Sequence, residues 1–367
     1  MSAPTIIEVQ GRKLKLTNLD KVLYPVTGFT KGEVVDYYVR IAPVLLPHLS
    51  GRPLTMKRYP GGVGEDQEYF FEKNAPKFRP DWVKTAPVWS EGNSRTVNYI
   101  LANDLPTLVW IANLASIELH PSLSLAAELA TPTMIVFDLD PGPPANIVQC
   151  AQVGLWVREI FSHFGLQSFP KTSGSKGMQV YIPLHSKTSY EQTKPFANAI
   201  ARLLEQEHPD LVVSDMKKAV RTNKVFVDWS QNDRHKTTIS VYSLRAREHP
   251  TVSTPITWQE VEQALKKKDA ARLVFEAKDV LARVEKMGDL FDPVLKLKQN
   301  LPQLAGLAAA SETVGEPDGK TVSEGAAPEA PRPTQATKTR ATKKKATKKK
   351  TIASTTKGKP AAKRRNL

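Results

Sequence analysis

The sharpest chemical feature of this 367-residue chain is the carboxylate pair in Phe137–Pro141, FDLDP. Asp138 and Asp140 stand two residues apart, directly after the β-branched and apolar run Thr133–Phe137. On a strand, residues i and i+2 share a face, so both carboxylates project to one side. Held close, they repel each other unless a cation lies between them. An all-oxygen ligand set favours magnesium or manganese over zinc. A second apolar run, Lys224–Trp229 (KVFVDW), brings in Asp228 at another expected strand end. Three such acids could share two ions, one activating a hydroxyl and one holding phosphates. Taken alone, Asp-Leu-Asp could equally cap a helix or lie in a solvated turn.

The second chemical element is Pro170–Pro183, PKTSGSKGMQVYIP. Ser173, Gly174 and Ser175 precede Lys176 and Gly177, and a strand is expected to follow. Glycines there would let backbone amides approach a phosphate, with Lys176 supplying a point charge. The glycine spacing is not that of a Walker A loop, and no helix follows. A flexible hairpin is the bland alternative, and the neighbouring acids favour phosphate binding. A phosphatase of the haloacid dehalogenase type also starts from an apolar strand and Asp-x-Asp. It expects Thr or Val two residues past the second Asp, where Gly142 stands.

These groups must be held by a mixture of helices and strands. Lys31–Leu46 has helical spacing with Thr30 as N-cap. Asn146–Phe164 is helical and stops at Gly165. Tyr190–His208 and Trp258–Lys267, the latter after Thr257, also read as helices. Thr133–Phe137, Met178–Pro183 and Lys224–Trp229 read as strands. The interleaving implies an α/β or α+β body, ending near Leu297. Residues 298–331, rich in Ala, Pro, Gly and Ser, read as a flexible linker. Residues 332–367 read as a disordered Lys/Arg-rich tail.

That tail accounts for nearly all of the charge. It holds ten Lys, four Arg and no acid, which is +14 of the chain's formal +15. The body is close to neutral, and the tail is either a solubilising or localisation sequence or an arm that gathers DNA phosphates. Cys150 is the single cysteine, which excludes an intramolecular disulfide and a cysteine zinc site. The N-terminus lacks the pattern of a secretory signal, and no apolar run is long enough to span a bilayer. A cytoplasmic, nucleoid-associated protein is expected.

Several segments, in order, give the chain a family resemblance. LTNLDKVLYP, GFTKGEVVDYY, GRPLTMKRYPGG, FFEKNAP, FDLDPG, TSGSKG, KVFVDWSQN, KTTISVYSLRAR and VSTPITWQEV resemble the polymerase domain of bacterial ligase D, within the archaeo-eukaryotic primase superfamily. The resemblance runs from about Leu16 to Leu295. It implies an α+β, primase-like catalytic core with mixed and antiparallel sheets flanked by helices. It also implies template-directed nucleotide transfer in end joining or gap repair, supported by two manganese or magnesium ions. Asp138, Asp140 and Asp228 match the metal carboxylates. His120, Ser173, Lys176 and Arg245 match nucleotide-binding residues. Lys21 and Lys31 match the pair that binds a 5′-phosphate across a gap or break. Phe70 and Phe71 match aromatics that stack near the template, with Lys57 and Arg58 as further phosphate contacts. By themselves, most of these residues would read as surface lysines or core aromatics.

Two departures stand out. The family's phosphate loop usually ends in Lys-Gly-x-His, and here Gln179 falls where that His belongs. Gln cannot take up a proton or carry charge, so weaker activity or altered nucleotide choice is expected. Family members are often fused to ligase and nuclease domains, and this chain carries no ligase lysine motif. The expected partners are therefore DNA with gaps or 5′-phosphorylated broken ends, NTP or dNTP, a separate DNA ligase and Ku. A weakly catalytic DNA-end scaffold and a primer-synthesising primase are the competing readings.

Overall fold

A computed structural model describes residues 4–302, apart from 91 and 93. The basic tail and all of the linker beyond Pro302 lie outside the described residues. The chain opens with two short antiparallel pairs, β1 (Thr5–Val9) with β2 (Arg12–Leu16), and β3 (Val22–Tyr24) with β4 (Phe29–Thr30). Helix α1 (Lys31–Leu49) follows, then β5 (Leu54–Arg58), β6 (Phe70–Glu72), β7 (Thr85–Ser90), β8 (Arg95–Ile100), α2 (Leu105–Asn113) and β9 (Ser116–Pro121). The second half holds β10 (Met134–Pro141), α3 (Ile147–His163), β11 (Phe169–Thr172), β12 (Met178–Pro183), α4 (Tyr190–Glu207), β13 (Val212–Val213) and β14 (Val225–Asp228). Helices α5 (Trp258–Lys267), α6 (Ala277–Met287) and α7 (Asp292–Lys296) complete it.

Two five-stranded sheets result among the described residues. One runs β11-β12-β10-β14-β13, antiparallel except for the β13–β14 pair. In the other, β5 is flanked by β9 along one edge and by β6 and β8 along the other, with β7 outside β8. The expected α+β class with mixed and antiparallel sheets is what forms.

The alternation of β10 decides what each face does. Ile135, Phe137 and Leu139 are fully buried against α3, α4 and α5, in one core with Met178, Val180 and Ile182 of β12 and Val225 and Val227 of β14. Met134 and Val136 point the other way, into a second core built on α1, α2, β5 and β9. Asp138 and Asp140 continue that second face. The apolar positions therefore aim the acids, because turning a strand over would put Phe137 and Leu139 in the cleft.

Local signals set the helix ends. Thr30 Oγ1 accepts from the Glu33 N–H at 3.2 Å, and the Glu33 carboxylate accepts from the Thr30 N–H at 2.7 Å, a reciprocal cap. Helix α1 runs to Leu49, one turn past the expected Leu46. It buries Val34, Tyr37, Tyr38, Ile41 and Leu45, spaced three and four apart. Its tyrosines reach into the segment 237–256: Tyr37 donates to the Tyr242 carbonyl at 2.8 Å. From β3, Tyr24 donates to the Arg245 carbonyl at 2.9 Å.

That segment joins the two sheets. Ser240 N–H donates to the Leu119 carbonyl of β9, and Thr172 N–H of β11 donates to the Thr254 carbonyl, both at 2.8 Å. At the far end, the Gln299 side chain bonds Gln167 and Pro183 at 2.7–3.0 Å. The body thus continues past the expected boundary at Leu297.

Candidate active site and its relatives

Strand register builds the acidic wall. Asp138 of β10 lies directly opposite Asp228 of β14 on one side and Gln179 of β12 on the other. Gln179 in turn lies opposite Lys171 of β11. Residues in register share a sheet face, so Lys171, Gln179, Asp138 and Asp228 form one row, with Asp140 two residues along. The acids lie inside or at the end of paired strands, and Asp138 is not at a strand end as expected.

Asp138, Asp140 and Gln179 of this row line a cleft of about 390 Å³ together with Phe71, His120, Ser173, Lys176, Arg245 and Arg247, whereas Asp228 and Lys171 are not among its lining residues. The structure thus brings together Asp138, Asp140 and all five expected nucleotide-binding residues. Burial first, then the Asp140 charge, raises the pKa of Asp138 to about 7, despite a hydrogen bond from Gln179. Asp140 sits at the mouth, exposed to solvent, yet its surroundings and Asp228 raise its pKa too.

Crowded oxygen ligands with suppressed ionisation suit a hard divalent cation, which would relieve the repulsion. The triad is not preassembled, however: among the described residues no three His, Cys, Asp or Glu side chains form a metal-holding cluster. The reason lies at Asp228. Its carboxylate caps the following 3-10 turn, accepting from Ser230 N–H at 2.9 Å, Ser230 Oγ at 2.5 Å and Gln231 Nε2 at 3.0 Å. Local donors hold that carboxylate.

The Ser173–Gly177 loop is a tight connection between β11 and β12. Buried Ser173 Oγ accepts from the Ser175 and Gly177 amides, both at 3.2 Å, while exposed Lys176 faces solvent. The glycines are required for a reason other than the expected one. A Cβ on Gly177 would meet the Leu139 carbonyl oxygen at 2.0 Å, and one on Gly174, at φ +67°, the Val252 carbonyl carbon at 2.5 Å. Close packing of backbone on backbone demands glycine here, before any phosphate is considered.

Opposite stands a cationic wall with a buried acid behind it. Glu118 of β9, 3% exposed, lies 2.9 Å from His120 Nε2 and 3.3 Å from Arg245 Nε, and accepts the Ala246 N–H at 3.1 Å. Burial alone would raise its pKa, but His120, Arg245 and Lys57 outweigh burial and bring it to about 2. An ionised carboxylate only accepts, so His120 must donate from Nε2, leaving Nδ1 as an acceptor. Burial lowers the pKa of His120 and keeps it neutral. Arg245 also donates to the Ser173 carbonyl at 3.2 Å, linking this wall to the loop.

Glu118 was not singled out from the sequence, although its alternation with His120 in SIELHP places both on one face. Arg247, which donates to Ser175 Oγ, and Lys171 were missed as well. Lys171 is fully buried, its ammonium 2.6 Å from Ser253 Oγ, with its pKa pushed well down by burial. Nothing in the sequence around Lys171 marks it as a core residue.

Of the remaining expected residues, Phe71 lines this cleft, whereas Lys21, Lys31, Lys57, Arg58 and Phe70 do not. Lys21 and Lys31 are adjacent, joined by a 2.8 Å bond from Lys31 N–H to the Lys21 carbonyl. Lys21 is exposed, whereas Lys31 is buried, donating to the Thr17 carbonyl at 2.6 Å. Burial first, then the Lys21 and Arg58 charges, lower the pKa of Lys31 to about 8. Arg58 donates to Glu72 at 2.7 Å and to the Leu114 carbonyl at 3.0 Å. The Lys57 ammonium lies 4.1 Å from the Tyr69 ring centre and 5.4 Å from that of Phe71. Phe70 and Phe71 are 43% and 55% exposed, enough to offer ring faces to a ligand.

Comparison with known proteins gives a consistent placement. The family described as "LigD, primase-polymerase domain" matches residues 30–291. A multifunctional non-homologous end joining protein LigD from Mycolicibacterium smegmatis is 43% identical over 284 residues, covering 77% of this chain and 36% of that protein. The bifunctional LigD of Bacillus subtilis is 32% identical over 291 residues, covering 79% of this chain and 45% of that protein. This chain therefore spans less than half the length of either relative. Among solved structures, the polymerase domain from Mycobacterium tuberculosis ligase D in complex with DNA aligns with a TM-score of 0.71 at 41% identity, covering 78% of this chain and 99% of that one. The chain belongs to the LigD primase-polymerase domain family.

Proposed function

We propose that this protein is a template-directed nucleotidyltransferase that fills short gaps or remodels broken DNA ends. The observation that carries this reading is that Asp138 and Asp140 share one cleft with Ser173, Lys176 and Arg245, while strand register sets Asp228 directly opposite Asp138. Asp138, Asp140 and Asp228 would hold two divalent ions, manganese or magnesium. Bound there, such ions supply charge neutralisation and activation of a primer 3′-hydroxyl. Lys176 and Arg245 would balance the charge of the triphosphate and of the departing pyrophosphate. Neutral His120 would offer Nδ1 as an acceptor toward the nucleotide, and the Ser173 hydroxyl a donor. Gln179, fixed by Thr238 Oγ1 at 3.1 Å and the Tyr181 hydroxyl at 3.2 Å, would orient Asp138.

Lys21 and Lys31 would take the 5′-phosphate, and Phe70 and Phe71 would stack on template bases. The DNA-bound solved relative and the end-joining names of the relatives support DNA as the partner. A separate ligase would seal the product, with Ku as the end-binding partner, in the bacterial cytoplasm at the nucleoid. No helix among the described residues is long and apolar enough to cross a membrane. The full chain, given a gapped 5′-phosphorylated duplex, manganese and either ribo- or deoxynucleotides, is expected to extend the primer as the template directs. DNA binding without any extension would favour an end-binding scaffold instead.

A further inference from the structure

We propose that Glu118 is the positioning residue of the nucleotide pocket, setting His120 and Arg245 through one buried carboxylate. The inference rests on reading the cleft as a nucleotide site. The geometry is specific to the two oxygens. Oε2 lies 2.9 Å from His120 Nε2, while Oε1 lies 3.1 Å from the Ala246 amide and 3.3 Å from Arg245 Nε. His120 sits on β9 and Arg245 in the 237–256 segment, so the carboxylate ties two separate stretches of the cleft wall together.

Two consequences follow from this arrangement. Bonding Nε2 fixes the imidazole tautomer and its rotation, so that Nδ1 is the nitrogen left for a ligand. The Arg245 Nε has no well-aligned hydrogen-bond partner, although it lies beside Oε1. Its hold is therefore chiefly charge on charge, which leaves the outer guanidinium nitrogens for the Ser173 carbonyl and for an anion. Glu118 is nearly fully buried and cannot itself contact a large substrate, so its influence must run through these neighbours.

Glu118→Gln keeps the shape and an acceptor oxygen but removes the charge. Steady-state extension of a gapped 5′-phosphorylated duplex by the full chain separates the outcomes. The KM for the nucleoside triphosphate is expected to rise about tenfold, with duplex affinity measured without nucleotide unchanged. Adding Glu118→Gln to Arg245→Ala is expected to cost less than the product of the two single effects, because the Arg245 contact is already gone and only the His120 contact remains to be altered. An unchanged KM in Glu118→Gln, or effects that simply multiply, would overturn the proposal. Nitrogen-15 NMR of the histidines in the unmodified chain tests it without relying on a variant that folds. His120 protonated at Nε2, with nucleotide shifting Nδ1, supports it, and protonation at Nδ1 refutes it. If the parent chain extends no primer under any condition, it is the polymerase reading that fails, whereas a normal parent with a normal Glu118→Gln removes this inference alone.

Discussion

The acidic row and the lysine pair are built on different length scales. Asp138, Gln179 and Asp228 come from three strands far apart in sequence, and only sheet register makes them neighbours. Lys21 and Lys31 flank a short β3–β4 pair and are tied by one backbone bond. The first site is locked to the core, since its strands bury Phe137, Leu139 and Val227 on the reverse face. The second rests on a local turn whose Leu23 and Tyr24 are anchored in the other core. A site whose geometry depends on register can hold repelling charges at fixed spacing, while a local one can adapt to a chain end. Under the proposed function, chemistry would fall to the register-built row and phosphate capture to the local pair.

The largest effect that could break this division is on catalysis. Asp138→Ala combined with Asp140→Ala should reduce primer extension by at least about a thousandfold. Electrophoretic mobility shifts should show gapped-duplex binding intact, because the lysine pair is untouched. Extension that survives the double substitution would remove the acids from the centre.

Lys21→Ala with Lys31→Ala should do the reverse. Affinity for a 5′-phosphorylated gap should fall about ten- to a hundredfold, with little change for the 5′-hydroxyl version, as charge-assisted phosphate bonds are lost. The pH dependence has a definite sign. Lys31 is charged below its lowered pKa of about 8 and neutral above it. Phosphate-specific affinity, read by fluorescence anisotropy, should therefore weaken between pH 7 and pH 9. Bound phosphate favours the charged form, so the midpoint in the complex should lie higher than in the free protein.

The basic tail tests whether either region needs help from diffuse charge. Truncation after Pro302 preserves the Gln299 bonds, which truncation after Leu297 would destroy. DNA affinity at low salt should drop about tenfold and the salt dependence should flatten, because fewer counterions are released. An unchanged salt slope would assign the tail another role.

The smallest expected effect concerns Gln179. Gln179→His installs, beside Asp138, the residue that the family resemblance leads one to expect there. It should lower nucleotide KM or raise turnover by about three- to tenfold, a change near 1 kcal/mol. Equal kinetics would mean that the Thr238 and Tyr181 contacts make glutamine an adequate substitute.

Much of this was legible before folding. Period-two alternation placed Asp138 and Asp140 on one face, and Thr30 and Thr257 marked helix starts that the structure reproduces, while Asn146, read as the first helical residue, is the cap of α3. Ordered segments carried the family. Boundaries were less legible: α1 passes Leu46 and the body passes Leu297, since packing extends elements beyond their local signals.

What the sequence determined by itself was chemistry carried along the chain: acids after apolar runs, a small-residue loop ending in Lys176, and a cationic tail. Only tertiary structure decided which of these meet. Strand pairing set Asp228 across from Asp138, backbone crowding explained Gly174 and Gly177, and the contact of β9 with segment 237–256 brought Arg245 to Glu118. It also committed Arg58 to Glu72 and buried Lys31. The physical reason is that alternation and capping act over a few residues, whereas register and burial depend on partners remote in the chain.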